Sequence, residues 1–251
     1  MTTGVFKARG IVLREQGTGE ADKSLTFLLK ERGKLRVNAR GARKPASKLI
    51  AAAQQFAYSD IIVYQGRGGG FHSLTQADLI ESFHNIRYDY DKLALGQYLL
   101  EICEKTIPES AACDEALLLL LKSLTALSRE SCGPDMVARC FEFKFFAGMG
   151  MAPEVRACTG CGSDPGQNPF FGPDGAICEK CALLATGSAY IKTSRQTLVN
   201  IHSILCSDIK TAFNLDIGKR ELMEIERAAK FFMRHNFEIK PKAMEEGGKR
   251  W

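Results

Sequence analysis

Two pairs of cysteines constrain this chain more than any other feature. Cys158-Thr159-Gly160-Cys161 is followed, after sixteen residues, by Cys178-Glu179-Lys180-Cys181. Two C-x2-C turns at that separation match the spacing of a four-thiolate zinc site. Each turn folds two sulfurs towards one point, and the two together complete a tetrahedron around Zn2+. Gly160 and Gly162 supply pliable backbone for the first turn. Pro165, Gly166, Pro169, Gly172, Pro173 and Gly175 lie between the pairs. That is turn chemistry, too poor in apolar residues for a core of its own. The expectation is a zinc ribbon in which one structural Zn2+ orders the loop, with a binding free energy of roughly 10–16 kcal/mol. Catalytic zinc fits less well, because four sulfur ligands leave no open position. A thioredoxin-like redox pair would show one C-x-x-C in a βαβ setting, and unrelated free or disulfide-bonded cysteines would need no such spacing.

The other cysteines, at 103, 113, 132, 140 and 206, are scattered without an evident partner. An odd, dispersed set suits a reducing compartment better than a disulfide framework. No apolar leader opens the sequence, and the longest apolar run, 116–121, is far too short for a bilayer. A cytoplasmic protein is expected.

Charge is distributed unevenly. The 251-residue chain carries a net charge of +5, yet residues 1–50 hold twelve Lys or Arg against four acids, a local +8. The remainder is mildly acidic. Such a concentration points to a polyanionic partner. The same region reads as five short strands, over 5–13, 24–29, 34–40, 56–64 and 71–75, punctuated by Gly33 and by the cluster Gly66, Gly68, Gly69 and Gly70. Five antiparallel strands in about 80 residues imply a small closed barrel of OB type, although an SH3-like barrel would read almost the same way. In the third strand Lys34, Arg36, Asn38 and Arg40 alternate with Leu35, Val37 and Ala39. Period two sends the basic residues to one face and the apolar ones to the other. No acid occurs between Gly33 and Ser59, and Arg43, Lys44 and Lys48 extend the basic surface. Lys34, Arg36, Arg40, Arg43, Lys44 and Lys48 are therefore the candidate nucleic-acid contacts. Of the six rings at Phe6, Phe27, Phe56, Tyr58, Tyr64 and Phe71, most should fill the barrel, with Tyr58 and Tyr64 the better candidates for exposure.

From Ile86 the period becomes helical. Helices are expected to end near Pro108, to start at Asp114 with leucines on every side, and to run from Pro134 towards Gly148. The all-round leucines of the second would place it at the centre of a bundle. Further helices follow Ser194 and cover 219–234. The fold class is α+β: an N-terminal OB-fold barrel over 1–80, a helical domain over 81–157 and 182–240 with the ribbon inserted at 158–181, and a flexible tail over 241–251. No catalytic motif is present. His72, His84, His202 and His235 fall in no recognised pattern, and the glycine runs lack the frame of a phosphate loop.

The ordered set of parts resembles the bacterial RecO family over nearly the full chain. Its marks are Ala8-Arg9-Gly10-Ile11-Val12-Leu13, Gly19-Glu20-Ala21-Asp22, Gly33-Lys34-Leu35, and Ala39-Arg40-Gly41-Ala42-Arg43-Lys44. Tyr98-Leu99-Leu100-Glu101, Phe141-Glu142-Phe143-Lys144 and the two cysteine pairs follow. The resemblance implies a recombination mediator without enzymatic turnover. Such a protein binds single- and double-stranded DNA and anneals complementary strands. It engages the acidic tail of single-strand-binding protein and, with RecR, loads RecA. Some members lack the zinc ligands, so retention of all four implies a metal-bearing one. A zinc-ribbon interaction scaffold without direct DNA binding is the alternative, and a zinc-dependent or thiol enzyme a more distant one.

Overall fold

The computed structural model describes residues 4–66, 71–185 and 189–237. The tail over 241–251 and Gly68, Gly69 and Gly70 lie outside the described residues. The chain forms two compact units, Met1–Ser128 and Arg129–Trp251.

In the first unit, β1 (Gly4–Thr18), β2 (Asp22–Leu29), β3 (Gly33–Ala39), β4 (Tyr58–Gln65) and β5 (His72–Glu81) close into a barrel of order β1-β2-β3-β5-β4. β4 pairs back onto β1, and β3 meets β5 in parallel at Asn38 and Ser73. This order is that of an OB fold, so the sheet topology decides what strand periodicity left open. Alternation explains the filling. Leu25, Phe27 and Leu29 of β2, Val37 and Ala39 of β3, Ile61 and Val63 of β4 and Leu74 of β5 all point inward.

Helix α1 (Tyr90–Thr106) starts at Asp89, whose carboxylate accepts from the Lys92 amide. Gly96 on α1 lets the buried Phe56 ring approach, a Cβ at that position being 3.0 Å from Cε1. Between α1 and α2 (Asp114–Arg129) the backbone at Ala111 lies against Gly33. Gly33 has φ +71, and a Cβ there would fall 1.9 Å from the Ala111 carbonyl oxygen, so both its conformation and its surroundings exclude a side chain. Asp114 opens α2, and its carboxylate accepts from the Glu31 amide at 2.6 Å.

The leucines of α2 do not make a helix buried on all sides. Leu117, Leu120, Leu124 and Leu127 form one buried stripe, while Leu118 is 52% exposed. The helix covered nearly all round is α3 (Pro134–Gly148), in the second unit. Phe141, Phe143, Phe145 and Phe146 on it are each at most 1% exposed, and it packs on α5 (Arg195–Cys206), α6 (Ile209–Phe213) and α7 (Lys219–Asn236). Ser194 caps α5 by accepting from the Thr197 amide. Its hydroxyl and that of Thr197 both donate to Glu224 of α7, at 2.8 and 2.7 Å, which ties the two helices. The short α6, capped by Asp208, has too few residues to show a period.

The insertion is more ordered than its turn-rich composition implies. β6 (Phe170–Gly172) and β7 (Gly175–Ile177) form a hairpin about Pro173-Asp174, and β8 (Ile191–Lys192) pairs with the other edge of β6. The short helix α4 (Glu179–Leu184) follows β7. Phe171 is fully buried, its ring 6.2 Å from that of Phe232 on α7. The ribbon thus uses the core of its own unit instead of building one.

Candidate nucleic-acid interface and metal centre

Strand register assembles one outward face on the barrel. Arg14 of β1 is opposite Thr26 of β2, which is opposite Arg36 of β3. One row on, Gln16, Ser24 and Asn38 align, and Asn38 meets Ser73 of β5. Directly opposed residues share a face, so these side chains form a polar and basic strip. A bulge between Val12 and Arg14 re-aims β1 at the start of the strip. Arg14 was not among the sequence candidates. Its place is set by cross-strand register, which the sequence of β1 does not carry.

The loop after β3 is held against the β1–β2 turn. The Gly41 amide donates to Asp22 Oδ1 at 2.7 Å, and the Arg43 amide donates to the Ala21 carbonyl at 2.9 Å. The Arg43 guanidinium reaches the Gly19 carbonyl at 2.9 Å. These contacts orient 41–48 beside the strip, with Arg43, Lys44 and Lys48 exposed.

Pairing separates the basic residues by role. Arg9 and Asp60, opposed on β1 and β4, form a two-pronged pair at 2.7 and 2.8 Å. The guanidinium holds the Asp60 carboxyl below its ordinary range. Lys23 is neutralised by Glu15, and Arg14 by Glu104 at 3.2 Å. Lys34 is half-buried and also makes a contact within the chain. Its ammonium donates to the Glu104 carbonyl at 2.6 Å in the last turn of α1, where a cation complements the helix dipole. Arg36, Arg40, Lys44 and Lys48 are exposed and make no ion pair with an acid among the described residues. Of the six rings, Phe27 and Phe56 are buried, Phe6 and Tyr58 half-buried, and Tyr64 and Phe71 exposed. The exposure of Phe71 was missed. It follows from the ring's outward phase immediately before β5.

The second unit brings Cys158, Cys161, Cys178 and Cys181 together, with all four Sγ atoms within 4.8 Å of one another. The first pair leaves the 154–158 segment, where Glu154 anchors the chain by accepting from the Arg156 and Ala157 amides at 2.6 and 3.2 Å. The second pair sits at the start of α4, with Cys178 as N-cap. Backbone amides already point at the sulfurs: that of Cys178 at Cys158 Sγ (3.3 Å) and that of Cys181 at Cys178 Sγ (3.4 Å). Burial opposes ionisation of Cys158. The amides of Cys178, Gly160 and Cys161 outweigh it and bring the thiol down to about 6. Cys181, hydrogen-bonded as a thiol to Cys178 and Cys161, is pushed up to about 12. The group could hold a metal ion.

A family model described as Recombination protein O N terminal matches residues 1–83, and one described as Recombination protein O C terminal matches residues 87–245. The chain belongs to the RecO family. DNA repair protein RecO of Acetivibrio thermocellus is 31% identical over 235 residues, covering 93% of this chain and 92% of that protein. DNA repair protein RecO of Symbiobacterium thermophilum is 30% identical over 248 residues, 96% of each. Two of the RecO marks quoted from the sequence prove to touch. The Gly19–Asp22 turn is the clip that holds the loop beginning at Gly41. A third, Gly33-Lys34-Leu35, is where β3 meets the end of α1 and the Ala111 backbone.

Proposed function

We propose that this chain is a recombination mediator in DNA repair with no chemical turnover of its own. It binds single- and double-stranded DNA, anneals complementary strands and, with RecR, loads RecA onto DNA coated by single-strand-binding protein, whose acidic tail it engages. It does so in the cytoplasm, at the nucleoid. The observation that carries the reading is the set of exposed cations Arg36, Arg40, Lys44 and Lys48, none paired with an acid among the described residues, with Arg43 held beside them. Phosphates supply sequence-blind affinity to such a surface. Cations between two strands also lower their mutual repulsion, which otherwise opposes annealing.

With Lys34 engaged at the end of α1, five of the six sequence candidates are assigned to DNA. Five neutralised phosphates give a salt slope on single strands of about −3.5. Reversing Arg36 and Arg40 to Glu is expected to weaken DNA binding and annealing while the circular dichroism spectrum is unchanged. Gel shifts at two salt concentrations read the loss, and an unaltered affinity would sink the assignment.

Cys158, Cys161, Cys178 and Cys181 are assigned to one structural Zn2+. A tetrahedron with Zn–S bonds of about 2.3 Å sets neighbouring sulfurs about 3.8 Å apart. Cys161 and Cys178 are already 4.0 Å apart. Bound there, the ion supplies cross-linking and no open coordination position.

One observation favours the alternative of an interaction scaffold. Beside the cysteines, α4 leaves Leu183 79% and Leu184 73% exposed. A scaffold would give no gel shift with single-stranded DNA at either salt concentration.

A further inference from the structure

The strip that carries the proposed phosphate contacts also presents two aromatic rings, for which phosphate binding alone has no use. Tyr64 is 39% and Phe71 38% exposed. Tyr64 of β4 is opposite Ser73 of β5, and Ser73 meets Asn38 of β3. Two residues beyond, the Gly66 amide donates to the Phe71 carbonyl at 2.9 Å. Period two therefore puts Tyr64, Phe71, Ser73 and Asn38 on one outward face, with Arg36 and Arg40 on either side of Asn38 along the chain. Tyr64 and Phe71 are diagonal neighbours, roughly 7–8 Å apart in backbone spacing, a distance that suits rings holding successive planar groups. The Arg40 guanidinium carbon lies 5.5 Å from the centre of the Phe71 ring. Gly66 lies beside that ring, a Cβ there being 3.7 Å from its Cδ1.

We propose that Phe71 and Tyr64 form a stacking platform for unpaired bases, with Arg40 joining ring and phosphate, so that the barrel favours single strands over duplex. The inference rests on the DNA-binding reading above and deepens it by naming the strand type. A base in a duplex is already stacked on its neighbours and offers the protein only its edges and its phosphates. An unpaired base offers a π-face to any ring set beside a basic groove, whatever its identity. The cations on the strip attract both kinds of strand, and only the rings distinguish them. The outward phase of the two strands exposes both rings, while Phe27 and Phe56 of the same barrel are buried.

The test uses the full chain with Phe71→Leu, Tyr64→Leu and Phe71→Tyr, titrated against an unstructured oligothymidine and against a duplex of the same length. Each leucine variant is expected to weaken single-strand binding about tenfold more than duplex binding, the usual size of one lost base–ring stack. The salt slope should stay at the wild-type value, because a ring releases no counterions, and Phe71→Tyr should restore the preference. A strand containing 2-aminopurine should be quenched by the wild type and less so by Phe71→Leu. Equal losses on both strands, or no loss on either, would overturn the platform and leave the phosphate reading standing. No loss on either strand would also point to the side chains of a partner peptide as the rings' occupant. A wild-type protein that binds neither strand would overturn both readings. Should Phe71→Leu lose its fold, the same comparison on Tyr64→Leu decides.

Discussion

Arg139 and Glu142 lie one helical turn apart on α3, 3.2 Å from one another, with side chains 2% and 0% exposed. Among the described residues, Nε and Nη1 of Arg139 have no hydrogen-bond partner. A buried pair of this kind adds little net stability over an apolar pair, but removing one member takes away a charge contact in a medium that solvates charge poorly. Arg139→Met is expected to cost about 3–5 kcal/mol of stability, seen as a lower urea midpoint. Adding Glu142→Leu should return most of the loss. Nothing in the sequence around Phe141 announces this pair, because an i, i+3 Arg and Glu on a surface helix reads identically. Lys34 makes the same point from the other side. Its alternation with Arg36 and Arg40 was legible, yet its ammonium is bound to a carbonyl seventy positions along the chain.

Elements were legible in proportion to their length. The seven-residue β3 and the eighteen-residue α7 each contain enough repeats to fix a period. The ribbon strands β6 and β7 have three residues apiece and show none. The leucine run of α2 misled for a related reason: consecutive leucines hide the stripe that packing selects. Within the ribbon, Gly175 is the position that tolerates least. It has φ +126, and a Cβ would fall 2.0 Å from the Glu154 carbonyl oxygen. That carbonyl accepts from the Ala176 amide at 2.6 Å and joins the approach to the first cysteine pair to the strand leading to the second. Gly175→Ala is expected to separate these two segments and weaken the proposed zinc site although every cysteine remains. The measurement is zinc release to a chromogenic chelator, faster in the variant than in the wild type. An unchanged release rate would show that the cysteines alone order the loop.

The chain divides its chemistry between its two compact units. The proposed DNA contacts lie in the first and the four cysteines in the second. Chelation, or Cys178→Ser, is therefore expected to lower the melting temperature of the second unit in calorimetry, with DNA affinity falling less than stability. A folded, stable Cys178→Ser variant that cannot bind DNA would instead make the ribbon a contact surface. What the sequence carried unaided was whatever rests on local spacing: the alternation of β3, the two C-x2-C turns, the basic excess of residues 1–50 and the ordered marks of the RecO family. Tertiary structure decided which cations remain unpaired, which rings face solvent and which helix is enclosed. Those properties depend on partners distant in the chain, brought together by register and burial, and no local repeat encodes them.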